Sequence, residues 1–341
     1  MESFALAEAL IPRFKLEKIL NQGLLLSILL ANRAGLRVTL LGNIDSLPGL
    51  LTFERAAFPS DPEALLTIHT SLTQIENLGA NDIYFWYLAS IRHITSSTNH
   101  EASPAPDVKL NLIYPCTPKH IKKYSPQKLH VVTETPEIYD QYVRPYVEKQ
   151  RQEGRLNWVF NILEGRTEVE DVILRQPSDT ATFADNSEGY LLLPDLNWDR
   201  KTMTSLHLLA LVARRDIWSL RDLKKSHVSW LKAMRAKILY AVVQQYMSRG
   251  VEEDELKLYV HYQPTYYHFH IHVVHVQLEA GATQAIGKAF SLENLISQLD
   301  SMNRGSVEIG MKDVDITYTL GEESDLWKDV FEPRIKQTET A

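Results

Sequence analysis

His268-Phe269-His270-Ile271-His272-Val273-Val274 is the stretch on which the reading of this chain turns. Extended backbone sends alternate side chains to opposite faces, with i and i+2 about 6–7 Å apart. As a strand, the segment lines three imidazoles along one face and turns Phe269, Ile271 and Val273 into a core on the other. The β-branched Ile271, Val273 and Val274 favour that strand. A helix would scatter the histidines around its circumference. Three imidazoles in a row are costly to bury unless something satisfies them. A core histidine with one hydrogen bond accounts for one position, not three.

Two chemistries ask for such a row. One is metal binding, for which imidazole is the commonest ligand. A complete metal site needs further donors, and the chain has neither a His-Glu-x-x-His pattern nor a cysteine pair to supply them. The other is phosphate chemistry, which needs no metal and no cofactor. Neutral His270 presents one nitrogen lone pair to phosphorus while an acceptor holds its other N–H. His268 and His272 then hold phosphate oxygens as charge develops, and one of them protonates the departing phosphate. His275 has the opposite parity and is expected to face away. His261 lies on the preceding segment, Leu256 to Tyr262, which alternates like a half-buried strand. Spacing alone leaves open whether it reaches the phosphates.

Working outward, Tyr190 to Pro194 and Leu206 to Val212 are short apolar strands. Ser226 to Met247 is a long helix with Ser226 as N-cap and Gly250 as terminator. Its apolar positions Val228, Leu231, Met234, Ile238, Ala241 and Val242 fall near one face. Ser291 to Leu299 is a short helix, Val314 to Leu320 a strand and Trp327 to Ile335 a final helix. The N-terminal part opens with a helical pattern through Leu20. Strands are expected at Arg37 to Gly42, Gly49 to Glu54, Asn81 to Tyr87 and Val108 to Tyr114, with a polar loop around Ser96, Pro104 and Pro106. Lys119 to Tyr124 reads as a helix broken by Ser125-Pro126. The expectation is an α+β chain with largely antiparallel sheets and two domains, 1–126 and 127–341.

With 341 residues, 44% hydrophobic and 23% charged, the composition is that of an ordinary globular protein with a substantial core. A net charge of -7 argues against long duplex nucleic acid as a partner, because affinity there comes from neutralising phosphates. One small anionic ligand in a local basic pocket remains compatible with it. Cys116 is the single cysteine, so no intrachain disulfide forms, and a small buried residue is the plain reading. The apolar run Leu24 to Leu30 is too short to cross a bilayer, which takes about 20 apolar residues. It is read as a buried element and not as a targeting signal, and the expected compartment is the cytoplasm, with the nucleus as a second.

His-φ-His-φ-His-φ-φ, with φ apolar, is the signature of the histidine-triad family, and every position fits here. That resemblance favours phosphate chemistry over metal binding. The longer string His261-Tyr262-Gln263-Pro264-Thr265-Tyr266-Tyr267-His268 resembles the scavenger mRNA decapping enzymes in particular. In the same order along the chain, further segments resemble that family: Asn81-Asp82-Ile83-Tyr84, Tyr114-Pro115-Cys116-Thr117-Pro118-Lys119-His120, Asn157-Trp158-Val159-Phe160-Asn161-Ile162-Leu163 with Glu168 downstream, Leu193-Pro194-Asp195-Leu196-Asn197-Trp198, and Arg214-Arg215 to Leu223. The likeness runs from about Phe14 to Leu320 and is weakest in the N-terminal third.

The resemblance implies a C-terminal histidine-triad domain and a smaller mixed α/β N-terminal domain exchanged within a homodimer. It implies hydrolysis of residual 7-methylguanosine triphosphate caps, on a cap dinucleotide or short capped RNA, through a nucleotidyl-His270 intermediate. Trp158 would stack on the methylated base, whose positive charge adds a cation–π attraction. Glu168 would accept from the guanine edge. Pro194, Asp195, Leu196, Asn197, His261, Thr265 and Tyr266 would line the rest of the cap site, and Asp82 and Tyr84 would belong to a lid. From the residues alone, Trp158 reads as a core aromatic and Glu168 as a solvated charge.

Two departures stand out. Asn197 replaces the lysine usual in the family near the phosphates, for which Lys201, Arg214 or Lys119 could substitute. Thr265 replaces a serine and keeps the hydroxyl. The rival readings are a generic dinucleoside polyphosphate hydrolase, against which Trp158 and Glu168 argue, and a cap-binding regulatory protein, against which the intact His270 argues.

Overall fold

The computed structural model describes residues 15–19, 37–45, 47–54, 58, 61–81, 84–91, 108–114, 127–179, 183, 186–195, 198, 200–302 and 306–339. The chain divides into two compact units, Met1–His120 and Ile121–Ala341. Within the first unit, β1 (Lys15–Ile19), β2 (Arg37–Ile44) and β3 (Leu47–Glu54) form one antiparallel sheet. Helix α1 (Pro62–Thr70) starts on an Asp61 cap and leads into a second sheet of β4 (Leu72–Asn81), β5 (Tyr84–Ile91) and β6 (Val108–Ile113).

Two expectations change in this unit. The stretch ending near Leu20 is a strand over Lys15–Ile19, because pairing with β2 outweighs the helical leaning of its lysines and glutamate. Asn81 to Tyr87 is not one strand: Asn81 closes β4, Tyr84 opens β5, and the two residues pair across the hairpin. Leu24 to Leu30, the Ser96 to Pro106 loop, Cys116 and Lys119 to Tyr124 lie outside the described residues.

The second unit is built on a six-stranded antiparallel sheet. In chain order its strands are β8 (Leu174–Gln176), β9 (Tyr190–Pro194), β10 (His207–Val212), β11 (Leu256–His261), β12 (His270–His275) and β13 (Ala289–Ser291), and their spatial order is β13-β11-β12-β10-β9-β8. One face carries Leu192, Leu208, Ala210, Leu258, Val260, Ile271 and Val273, all buried. Onto it packs the long helix α4 (Val228–Tyr246) through Leu231, Met234, Ile238 and Val242. Truncating any one of these to alanine removes contacts that cost about 2–5 kcal/mol. Helix α4 begins at Val228 after a tight turn over Lys225–His227 that contains Ser226, so Ser226 is not its cap. The amide of Ser226 is instead bonded to the Val307 carbonyl.

The opposite face carries Leu191, Leu193 and Leu211, which pack on Val159, Ile162 and Leu163 of helix α3 (Asn157–Leu163). By the same alternation it also carries Tyr259 and His261 of β11, His270 and His272 of β12, and His207 of β10. Strand parity therefore decides which residues share the site. A two-stranded pair of β7 (Leu129–Glu134) and β14 (Ile316–Gly321) completes the framework.

Candidate active site

The connector from β11 to β12 is held by a buried carboxylate. Glu134 accepts from Arg221 Nε at 2.7 Å, from Tyr318 Oη at 2.6 Å, from Gln263 Nε2 at 3.1 Å and from Tyr262 Oη. Both charged side chains are fully buried, so the pair depends on these extra hydrogen bonds to offset desolvation. Tyr267 Oη donates to Gln263 Oε1 at 3.0 Å, which anchors the residue just before the histidines. Thr265 and Tyr266 are thus carried on a connector pinned at both sides.

Each imidazole of the row has one nitrogen spoken for. His268 is fully buried and its Nε2–H donates to the Val212 carbonyl at 2.8 Å. His270 Nδ1–H donates to the His268 carbonyl at 2.8 Å. A carbonyl only accepts, so the His270 proton sits on Nδ1 and the lone pair on Nε2. His272 Nδ1 faces His207 Nε2 at 3.0 Å, and the His207 Nδ1 lies 3.6 Å from Asp195 Oδ1. His261 Nε2–H donates to the Thr283 carbonyl at 2.8 Å.

The rings pack on one another. His272 lies 4.1 Å from His261 and 5.3 Å from His270, centroid to centroid, and parallel to Tyr259 at 4.9 Å. Tyr266 stacks on His270 at 4.3 Å and makes a T-shaped contact with Trp158 at 4.9 Å. A run of aromatic contacts therefore joins Trp158 to His270. Trp158 is 46% exposed on α3, so it is not a core aromatic.

Burial is the first cause of the low proton affinity here. It brings His261, His268 and His270 down to about 4 and His272 well below its ordinary value, with the Lys288 charge adding to the effect on His261, His270 and His272. Near neutral pH these rings are uncharged and carry free lone pairs. The Tyr266 hydroxyl is pushed up by burial and then by the charges of Asp195 and Glu168, which sets both carboxylates within electrostatic reach of the aromatic run. Glu168 is exposed and adopts φ +54°, a left-handed conformation that is uncommon for a non-glycine residue. Pro194 ends β9 and delivers Asp195 beside His207, whose carbonyl accepts from the Asp195 amide at 2.9 Å.

Among the expected residues, His261, His270, His272, Asp195, Tyr266 and Trp158 are joined by these contacts. His268 takes part through its carbonyl and packs against Phe160. Thr265 is exposed on the connector. His275 is buried on its own, 3.6 Å from Glu255. Tyr84 opens β5 in the first unit. Asp82, Leu196 and Asn197 lie outside the described residues, as does Lys119. Arg214, one of the suggested substitute cations, is bound to Asp216.

Three residues of the site had not been singled out. His207 is a lone histidine in an apolar strand, and its parity was the available signal. Tyr259 shares the parity of His261. Lys288 follows Gly287, which turns the chain at φ +76°, and donates to the Gln263 carbonyl. Nothing local in the sequence marks Lys288.

The arrangement is a cluster of buried imidazoles joined by ring contacts to a half-exposed tryptophan, presented by an antiparallel sheet. Residues 9–127 match the family model for the N-terminal part of scavenger mRNA decapping enzymes, and residues 157–287 match the model for their C-terminal binding part. The chain is 37% identical to the m7GpppX diphosphatase of Schizosaccharomyces pombe, over 96% of this chain and 97% of that one. It is 36% identical to the enzyme of that name from Ascaris suum, over 79% and 83% of the two chains, and 31% identical to the Homo sapiens one, over 76% and 69%. The chain belongs to the scavenger mRNA decapping enzyme family.

Proposed function

We propose that this protein hydrolyses residual 7-methylguanosine triphosphate caps, as cap dinucleotide or short capped RNA, to 7-methylguanosine monophosphate and a 5'-diphosphate product. The observation that carries the reading is the His270 Nδ1–H bond to the His268 carbonyl, which leaves the ring's lone pair on Nε2. In the first half-reaction a P–N bond forms at Nε2 and the P–O bond to the diphosphate breaks, with that oxygen taking the electron pair and then a proton. Water attacks phosphorus in the second half-reaction, the N–P bond breaks back to nitrogen, and monophosphate leaves. Lys288 and His272 meet the phosphate charge, so Lys288 fills the role vacated by Asn197. Trp158 stacks on the methylated base and Glu168 accepts from its edge. The N-terminal unit is assigned in the same proposal to a homodimer with a lid bearing Asp82 and Tyr84, acting in the cytoplasm and nucleus.

The test is rapid acid quench of enzyme with cap dinucleotide, followed by intact-mass analysis. A 7-methylguanylyl adduct on the wild type, absent from His270→Asn, is expected, with turnover in EDTA. Wild-type chain that binds cap analogue but neither forms the adduct nor turns over would refute the reading. Among the described residues no helix is long and apolar enough to cross a membrane.

A further inference from the structure

Three hydrogen bonds decide where the protons sit in the imidazole cluster. His261 gives its Nε2–H to the Thr283 carbonyl, and His270 gives its Nδ1–H to the His268 carbonyl. His207 has its Nδ1 turned to Asp195, so its Nε2 accepts from His272 Nδ1–H. The nitrogens left with lone pairs are His261 Nδ1, His270 Nε2 and His272 Nε2, and His272 Nε2 is buried with no partner. One donor nitrogen from each of the three rings lies within 4.8 Å of the other two.

We propose that His261, His270 and His272 form a binding site for a divalent transition-metal ion of the Zn2+ type, and that its occupancy switches hydrolysis off. Three imidazoles that bring one nitrogen each to a common point match the nitrogen preference of such ions. Each ring already donates its other N–H to a fixed acceptor, which is the outer-shell arrangement that orients metal-ligating histidines. Asp195 stands behind His207 and adds negative charge to that shell. With Zn–N bonds of about 2.0–2.1 Å, closing the three nitrogens on one ion takes side-chain shifts of about 1 Å. The three proposed donors are all nitrogens, so Mg2+ and Ca2+, which take oxygen ligands, are expected to bind poorly there.

The control of activity rests on the proposed function: a lone pair bonded to metal cannot attack phosphorus. The binding does not, and it is read without substrate. Metal-free full-length chain is titrated with Co2+ and followed by visible absorption. The expected result is a saturable band of tetrahedral intensity at one ion per chain, displaced by Zn2+ and untouched by Mg2+. His261→Gln and His272→Gln, each with wild-type far-UV dichroism, should weaken binding by tenfold or more, and Asp195→Asn should keep it within a few-fold. A featureless titration, or a band that survives both histidine variants, overturns the site. A band lost in Asp195→Asn and His272→Gln but kept in His261→Gln moves the ion to the Asp195–His207–His272 cluster and also overturns it. Stoichiometric Zn2+ should abolish cap dinucleotide hydrolysis, and undiminished turnover with ion bound overturns the control. A metal-free chain that never hydrolyses cap is a different failure, that of the proposed function.

Discussion

His207 Nε2 lies 3.0 Å from His272 Nδ1, and the far side of the His207 ring faces Asp195 at 3.6 Å. The two histidines sit on neighbouring antiparallel strands, two residues out of direct register, since Leu209 pairs with His272 and His207 with Val274. The carboxylate draws the His207 proton to Nδ1, so His207 accepts from His272 and fixes its tautomer. On the proposed mechanism, when phosphate arrives and His272 takes up a proton, Asp195 would stabilise the resulting charge through His207, which would make His207 a positioning residue. His207→Phe is expected to lower kcat about 10–100-fold with a smaller change in KM, and His207→Gln to recover part of it. Steady-state kinetics on cap dinucleotide decide this; a kcat equal to wild type in His207→Phe would remove the role.

Protonation sets the acid limit of the enzyme. His270 holds its lone pair until pH falls to about 4, because burial outweighs the opposing hydrogen bond to the His268 carbonyl. The acid limb of kcat/KM is expected near pH 4 and not near the ordinary histidine value. Lys288 pushes the same way, so Lys288→Met should move the limb to higher pH as well as raise KM. A limb at pH 6.5 in the wild type would contradict the burial argument.

Stability responds to the same rings. Unfolded histidines take up protons around pH 6.5, whereas His261, His268 and His270 do so only near pH 4 in the fold. The unfolded chain binds more protons between those values, so stability is full above pH 6.5 and declines as pH falls toward 4. The slope reaches about 1.4 kcal/mol per pH unit for each ring. Urea denaturation at pH 7, 6 and 5 should show the midpoint falling stepwise, and a flat profile would count against buried neutral rings.

Trp158 is half-exposed and meets Tyr266 in a T-shaped contact, so part of the indole is open to a ligand. Trp158→Ala should weaken methylated cap analogue by about tenfold or more and unmethylated analogue by less, since only the former carries the charge that the ring attracts. Fluorescence titration of both ligands reads the difference. Equal losses would leave stacking without a cation–π part.

Glu134 is the hub under the connector. Glu134→Gln leaves the Arg221 charge buried without its counter-ion and should cost about 3–5 kcal/mol, visible as a large fall in Tm. If the variant stays folded, loosening of Gln263 and Tyr262 should also reduce kcat through Tyr266. A Tm unchanged from wild type would show that the pair is not the anchor described.

Much of the second unit was legible because periodicity is a local property. Alternation marked β11 and β12, a short apolar run marked β9, and a 3.6-residue stripe marked α4, since burial forces those patterns. The first unit was less so. Lys15–Ile19 has the composition of a helix and becomes a strand only through its partner β2. Within the site, His270 and its neighbours follow from parity along one strand.

What the sequence determined by itself is the order of side chains along each strand, and with it which imidazoles share a face and which residues fill the core. Only the tertiary structure decided that His261, Tyr259 and His207 join that face, that Lys288 supplies charge beside it, and which nitrogen of each ring keeps its lone pair. The reason is physical: pairing register, ring stacking and the carbonyl that captures a proton all come from residues distant in the chain, and no local pattern encodes them.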